Sequence, residues 1–575
     1  MNQNLDNLRH SCAHLLAAAI LELWPNAKRT IGPAIENGFY YDFDFGKEKI
    51  SEDDLAKIEA KMHEVAKDWS AFTGREVSKA EAKKLYRDNS YKLELIDEFS
   101  GEGQTLTIYK SGNYEDLCRG GHVDNPREQL KHFKLLSLAG AYWRGDEKNK
   151  MLTRIYGTVW PTQEELDHYL WQQEEAKKRD HKKLGPALEL FMFHETAPGM
   201  PYWLPKGLVV INELVSFWRQ EHTKRGYQEI KSPLINKKEL YVTSGHWDHY
   251  LENMFISQTD EKEVYALKPM NCPNAMVVFG NRNRSYRELP LRLSDTDTLH
   301  RFERSGTLNG LLRVREFSQD DAHIFVSEDQ IRDEYQKLFE ITERFYSIFS
   351  IEYRFRLGTR PEKFMGEAAA WDKAEAELKN ILDQSGKEYT VLEGDGAFYG
   401  PKIDILMKDI LGRDWQMGTM QLDFQIPARF NLKYAAADGS QQTPIVIHRV
   451  IYGSLERFVG ILIEHCAGAF PTWLAPVQVI MLPVSDKHQE YAAKIVDQLK
   501  EAGIRVELND KNEPLNARVR DAQLQKIPYM LIVGDKETKS NTVSERGRSG
   551  KDLGQKPAGE FISNIKHEID NRLSV

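Results

Sequence analysis

The stretch "TLHRFERSGTLNGLLRVREFSQDDAHIF", residues 298–325, holds an Arg-x-Glu strand, a glycine-containing loop and a returning strand with two more arginines. Arg301 and Arg315 bracket the turn between the strands. That placement suits a triphosphate, because guanidinium groups hold phosphate oxygens bidentately and offset developing negative charge. Glu303 is then placed to accept a hydrogen bond from an adenine amino group. Taken alone, the pattern fits an ion-paired surface hairpin equally well.

The neighbouring segments separate the two readings. Downstream, "VIHRVIYGSLERFVGILIEHCAG" (446–468) puts Gly453-x-x-x-Arg457 at the opening of a helix, so that Arg457 reaches phosphate from the opposite side. Upstream, an amphipathic helix over 207–225 runs into "YQEIKSPLI", a strand ending at Pro233. Helix and strand with a terminal proline, Arg-x-Glu hairpin, then Gly-x-x-x-Arg helix, in that order, resemble the three motifs of class II aminoacyl-tRNA synthetases. The resemblance implies an antiparallel-sheet catalytic domain.

Within that class, "LKPMNCPN", "SQDDAHIF", "GDGAFYGPKID", "WQMGTMQLDF" and "VIHRVIYGSLER" are similar to threonyl-tRNA synthetases of bacterial type, and the similarity runs from residue 9 almost to the C-terminus. The resemblance implies a zinc ion held by Cys272, His323 and His448. Three protein ligands leave a position open, the pattern of a site that binds substrate. A hydroxyl-reading site of this kind rejects valine, which has threonine's shape without its hydroxyl. The resemblance also places Gln319, Asp321, Tyr399, Lys402 and Gln421 near the threonine and Gln416 near ATP. The implied reaction is attack of the L-threonine carboxylate on the α-phosphate of ATP, with Arg301 on that phosphate, Arg457 toward the γ-phosphate and Mg2+ bridging the phosphates. Transfer of the acyl group to tRNA(Thr) follows. The alternative is a catalytically silent paralogue that keeps the fold and binds RNA.

Two further segments carry a second chemistry. "RHSCAHLL" (9–16) sets His10 and His14 one helical turn apart, and "YEDLCRGGHV" (114–123) supplies Cys118 and His122 at the same spacing. Together they resemble the editing domain shared by threonyl and alanyl synthetases. Serine differs from threonine by one methyl, a difference worth only about 1–3 kcal/mol in a pocket, so hydrolysis of Ser-tRNA(Thr) is the expected remedy. The four side chains suit either a zinc site or a metal-free site that positions water. The family favours the second, with Asp116, Lys92 and Tyr41 as helpers.

Length and composition agree with this frame. The 575 residues exceed what one core holds, so several domains are expected: editing over 1–160, a charged helical linker over 161–188, catalysis over 189–475 and anticodon binding over 476–575. The last segment alternates strand-like and helix-like runs from "VQVIMLPV" onward, which implies parallel βαβ units. The fold class is therefore mixed, α+β for the first and third domains and α/β for the last. Asn512, Arg520, Glu537 and Arg546 stand where anticodon contacts are expected. A net charge of −9 offers no bulk attraction for RNA, so local basic runs such as "KETKSNTVSERGRSGKDLG" must supply it. Four cysteines are no disulfide framework, and neither a signal peptide nor an apolar run of membrane length occurs, which places the chain in the cytoplasm. The first class II motif implies a homodimer.

Three departures from the family pattern stand out. Bacterial members usually open with a small ubiquitin-like (TGS) domain, whereas this sequence opens at the editing helix, so that domain is expected to be lacking. Gly121 stands where proline is usual, an exchange expected to loosen the placement of His122. Asn274-Ala275 replaces the usual Gly-His after "NCP".

Overall fold

The structure is a computed structural model that describes residues 3–573, and the chain divides into two compact units, Met1–Glu174 and Glu175–Val575. In the first unit the opening helix Gln3–Leu23 is buried almost all round from Leu8 to Ile20. A single apolar stripe of Leu8, Cys12, Leu15 and Ala19 accounts for only part of this. Ala13, Ala17 and Ala18 are buried as well, and their small side chains let strands and the helix Leu55–Ala66 close in on other faces. The helix packs on an antiparallel sheet ordered Lys28–Arg29, Gly38–Asp44, Met151–Trp160, His132–Tyr142. A smaller sheet of Thr73–Glu76, Thr107–Ser111 and Tyr114–Leu117 carries its own apolar cluster around Ile96, Ile108 and Tyr86.

In the second unit an eight-stranded sheet runs Gln228–Glu229, Leu291–Asp295, Asp321–Val326, Ile445–Val450, Asp414–Asp423, Lys402–Lys408, Glu352–Gly358, Tyr389–Leu392. Only the two edge pairings are parallel. Helices Pro205–Lys224, Ile331–Ser347, Ala368–Ser385 and Leu455–Cys466 contribute to the large apolar cluster on one face. The helix Gln163–Arg179 has Leu166 as its buried residue, in keeping with a solvated connector. The following turn His181–Ala187 does not share that character. His181 is buried and its Nδ1 sits 2.7 Å from Glu464 Oε1.

The C-terminal portion forms a five-stranded sheet, Val506–Leu508, Val479–Pro483, Tyr529–Val533, Thr542–Gly547, Asp552–Pro557. The first three strands are parallel, as βαβ alternation requires. The last two are antiparallel and lie beyond the strands that the alternation marks. Their sequence is dominated by charged and glycine residues, and only Val543 and Glu545 are buried, so no strand-like apolar run marks them.

Candidate functional site

Side chains alternate between the faces of a strand, and the eight-stranded sheet uses that rule to build a polar face above an apolar core. Ala322, Ile324, Ile447, Met420, Leu422 and Ile403 are fully buried and most join the core cluster. The residues between them point the other way. The register sets His323 opposite His448, His448 opposite Gln421 and Gln421 opposite Lys402, one rung across four strands.

Cys272 starts the helix Cys272–Phe279 beside this rung, and donor atoms of Cys272, His323 and His448 all lie within 4.8 Å of one another. Asp423 Oδ2 lies 2.8 Å from His448 Nε2 and orients that ring. His323 Nδ1 is buried without a hydrogen-bond partner among the described residues. Burial holds His323 well below its ordinary pKa, hence neutral, and pushes the Cys272 thiol well up. The neutral His323 ring with its orphaned donor, the His448 ring and a thiol fit a zinc ion, which would ionise the thiol. His246, which sequence reasoning missed, is buried with Nε2 3.7 Å from Cys272 Sγ. Nothing in "SGHWDHY" marks it, since the two histidines of such a run read as solvated.

The remaining expected residues gather on the same face. Asn271 Nδ2 donates to Asp321 Oδ2 at 3.1 Å, and the Tyr399 hydroxyl donates to Gln421 Oε1. Lys402 bridges Asp395 and Asp404 at 3.0 and 3.2 Å. Gln319 pairs through its backbone with Ser454, and Gln416 accepts from Arg356 at 2.9 Å.

The hairpin arginines are braced by backbone and rings. Arg301 N donates to Arg315 O at 2.9 Å, and the Arg301 guanidinium lies 4.9 Å from the Phe317 ring centre. Arg315 lies over Phe302 at 5.0 Å, with Nε donating to Glu303 O at 2.9 Å. Arg457 sits in the first turn of the helix Leu455–Cys466, where the Ser454 hydroxyl caps its N–H at 3.2 Å. Burial, then the like charges of Arg301 and Arg313, lowers the pKa of Arg457. Guanidiniums gathered against their own repulsion leave a place for an anion. Glu303 pairs with Arg313 at 2.9 Å, so holding an adenine amino group requires that pair to open.

In the first unit, His10, His14, Cys118 and His122 converge. Cys118 Sγ lies 3.3 Å from His10 Nε2 and 3.4 Å from both His14 Nε2 and His122 Nε2. His122 is stacked on Phe72 at 4.1 Å. Burial lowers the pKa of His122 to about 3 and raises that of Cys118 to about 11. Behind them Asp116, 1% exposed, pairs with Lys92 at 2.8 Å and Arg29 at 3.1 Å and accepts from Tyr41 at 2.7 Å. Burial would raise the Asp116 pKa, but the charges of Lys92 and Arg29 outweigh it and hold the carboxyl far below the usual range. Asp116 is thus a buried counter-ion with no face toward a substrate.

Comparison with known proteins gives the family. Residues 254–466 match the tRNA synthetase class II core domain (G, H, P, S and T), 478–568 the anticodon binding domain, and 106–156 the threonyl and alanyl tRNA synthetase second additional domain. The threonine–tRNA ligase of Thermotoga neapolitana is 53% identical over 567 residues, covering 98% of this chain and 88% of its own. That of Clostridium tetani is 51% identical over 568 residues, with the same coverage. The chain belongs to the threonyl-tRNA synthetases. Among solved structures, the RNA binding domain of threonyl-tRNA synthetase from Cryptosporidium parvum is 42% identical, with a TM-score of 0.66, and covers 68% of this chain and 98% of its own. A threonyl-tRNA synthetase, ThrRS-1, from Aeropyrum pernix is 29% identical, with a TM-score of 0.61, covering 68% and 95%.

In this synthetase the expected anticodon residues do not form one cluster of free side chains. Asn512 and Arg520 are exposed, while the Glu537 carboxylate accepts from Gly534 N at 2.9 Å as part of its own helix cap. Arg546 lies on the strand Thr542–Gly547, half-buried. The unusual Asn274 and Ala275 are both buried, and Ala275 packs with Phe279 and Leu291.

Proposed function

We infer that the chain is a threonine–tRNA ligase: it activates L-threonine with ATP, transfers it to tRNA(Thr) and hydrolyses mischarged Ser-tRNA(Thr) in its editing domain. The observation that carries the synthetic half is the polar rung His323–His448–Gln421–Lys402 beside Cys272, with Arg301, Arg315 and Arg457 alongside. A silent paralogue has no use for arginines held together against their own charge.

Cys272, His323 and His448 would hold one zinc ion, which when bound supplies an open Lewis-acidic position for the amine and hydroxyl of threonine. Asp321 faces the ammonium group, and Tyr399 and Gln421 fix the side chain. Lys402 and Arg301 meet the carboxylate and the α-phosphate between which the bond forms, Arg457 takes the γ-phosphate, and Gln416 and Glu303 contact the nucleotide. Arg315 holds the loop between them. Mg2+ accompanies the ATP. Catalysis here is positioning and charge stabilisation, and it needs no nucleophilic side chain.

The editing residues work without a metal in this reading. Cys118, His10, His14 and His122 hold a water against the ester, and Lys92 and Asp116 set the charge beneath them. Asn512, Arg520, Glu537 and Arg546 serve tRNA contacts, the first two through exposed side chains. The chain acts as a cytoplasmic homodimer. Leu234 and Ile235, directly after the first-motif strand, and Val242 and Ile256, in the elements that follow, are all at least 40% exposed and support an interface there. No helix among the described residues is long and apolar enough to cross a membrane.

The test is amino-acid-dependent pyrophosphate exchange by the zinc-loaded chain. Strong exchange with threonine, weaker exchange with serine and none with valine is expected. No exchange with any of the three overturns the ligase reading.

A further inference from the structure

The hydrogen bonds behind the editing cluster fix the position of one proton. Asp116 is enclosed by donors: Lys92 Nζ, Arg29 Nε and Leu117 N reach Oδ1 at 2.8, 3.1 and 2.9 Å, while the hydroxyls of Tyr41 and Tyr114 reach Oδ2 at 2.7 and 3.0 Å. With two cations against it the carboxyl is ionised and has no hydrogen to give. Each tyrosine must therefore spend its one hydrogen on Asp116. The Tyr114 oxygen can then only accept, and the neighbour within reach is His14 Nδ1 at 3.4 Å. That nitrogen carries the hydrogen.

We propose that Tyr114 is a positioning residue of the editing reaction, relaying the charge of Asp116 to His14, fixing that ring as its Nδ1–H tautomer and leaving the Nε2 lone pair toward Cys118 and the hydrolytic water. This rests on the editing reading given above. Before water enters, His14 Nε2 accepts from His10 Nε2, 3.0 Å away, so the His10 hydrogen lies on its own Nε2, and the hydrolytic water takes the place of that hydrogen bond when it binds. During hydrolysis the water oxygen bonds to the seryl carbonyl carbon while its proton passes to His14 Nε2. The bond from that carbon to the ribose oxygen breaks, and the same proton leaves with the ribose hydroxyl. The opposite tautomer would turn a hydrogen toward the water and a lone pair toward a hydroxyl that has no hydrogen to offer. A triad carboxylate that sets its histidine's tautomer is the general precedent.

Packing alone does not explain the arrangement. The Tyr114 ring also lies 5.9 Å from Trp69 and 5.2 Å from the Arg29 guanidinium, contacts that phenylalanine keeps. Tyr86 is the internal control. Its hydroxyl reaches Asp116 Oδ1 at 3.4 Å, and it has no hydrogen bond to His14.

The experiment measures hydrolysis of Ser-tRNA(Thr) by the full chain and its Y114F and Y86F variants, with threonine-dependent pyrophosphate exchange as the control for folding. Y114F should lower kcat for hydrolysis about 10- to 100-fold, with KM for the mischarged tRNA and threonine exchange unchanged. Y86F should stay within about 2-fold of the unsubstituted chain. Equal hydrolysis by Y114F, or an equal loss in Y86F, overturns the relay. If the unsubstituted chain does not hydrolyse Ser-tRNA(Thr), the editing reading itself fails, and the relay with it. A second readout needs no active variant. In the full chain with ring-15N histidine, the His14 signals, found by their loss in H14Q, should show a protonated Nδ1, and an unprotonated Nδ1 overturns the assignment.

Discussion

Gly121 has φ +81°, a left-handed backbone closed to proline, whose ring fixes φ near −65°. The family's usual proline therefore cannot be restored here without rebuilding the loop. G121P should displace His122 from Cys118 and cost hydrolysis of Ser-tRNA(Thr) at least about 10-fold, with threonine exchange intact, and the two assays run on one preparation check it. Asp116 makes a different prediction at the same scale. Its folded-state pKa is depressed, so its ion pairs stabilise the fold fully above the ordinary aspartate value of about 3.9 and lose that contribution as pH falls through the folded value. D116N leaves Lys92 and Arg29 buried without their counter-ion and should destabilise the editing unit by about 3–5 kcal/mol. The deficit, read from the editing unit's melting transition, should be level between pH 8 and pH 5 and shrink only below about pH 4.

Among the elements, the turn before the helix Leu455–Cys466 is the one on which synthesis depends. Asp320, fully buried, accepts from Ile451 N and Gly453 N, the latter at 2.9 Å, and Arg449 Nη1 donates to Asp320 O at 3.1 Å. Gly453 has φ +76°, and a Cβ there would lie 2.3 Å from Met417 O. Arg449 continues to His222, whose Nδ1 is 2.6 Å from Trp218 O on the helix Pro205–Lys224. The helix of the first motif, the hairpin strand and the arginine turn of the third are thus tied through one buried polar chain. D320A should orphan two backbone N–H groups, let the turn shift and lower kcat for threonine activation about 10-fold or more, while Ser-tRNA(Thr) hydrolysis stays. The sequence made the three motifs and most ligand positions legible, because glycine, arginine and proline punctuate them at fixed offsets. It hid Asp320, Arg449, His222, Arg29 and Tyr114. A buried charge and a solvated one have the same letter, and what distinguishes them is a partner more than 80 residues away for Arg29 and Asp116 and more than 200 for Arg449 and His222. One signal was available: "MQLDF" puts Gln421 and Asp423 two apart in an otherwise apolar run of five, which marks a polar face.

At the scale of the whole molecule, the chemistry divides as the cores divide. His10, His14, Cys118 and His122, with Asp116 behind them, belong to the unit ending at Glu174, while the Cys272, His323 and His448 cluster and Arg301, Arg315 and Arg457 belong to the unit beginning at Glu175. If the first site works by positioned water and the second by a bound cation, removing metal must separate the two activities. Chelation should abolish threonine-dependent exchange, since the side chains of Cys272, His323 and His448 by themselves offer no electrophile for the threonine hydroxyl. Hydrolysis of Ser-tRNA(Thr) by the same sample should continue at its original rate, because the proton acceptor there is a ring nitrogen whose tautomer is set by Tyr114 and Asp116. Added zinc should restore exchange and leave hydrolysis unaltered. Loss of both activities on chelation would place a cation among His10, His14, Cys118 and His122, whose donor atoms also lie within 4.8 Å of one another. A metal there would occupy the Nε2 lone pair of His14 that the water needs, so the two chemistries are exclusive and this one assay decides between them.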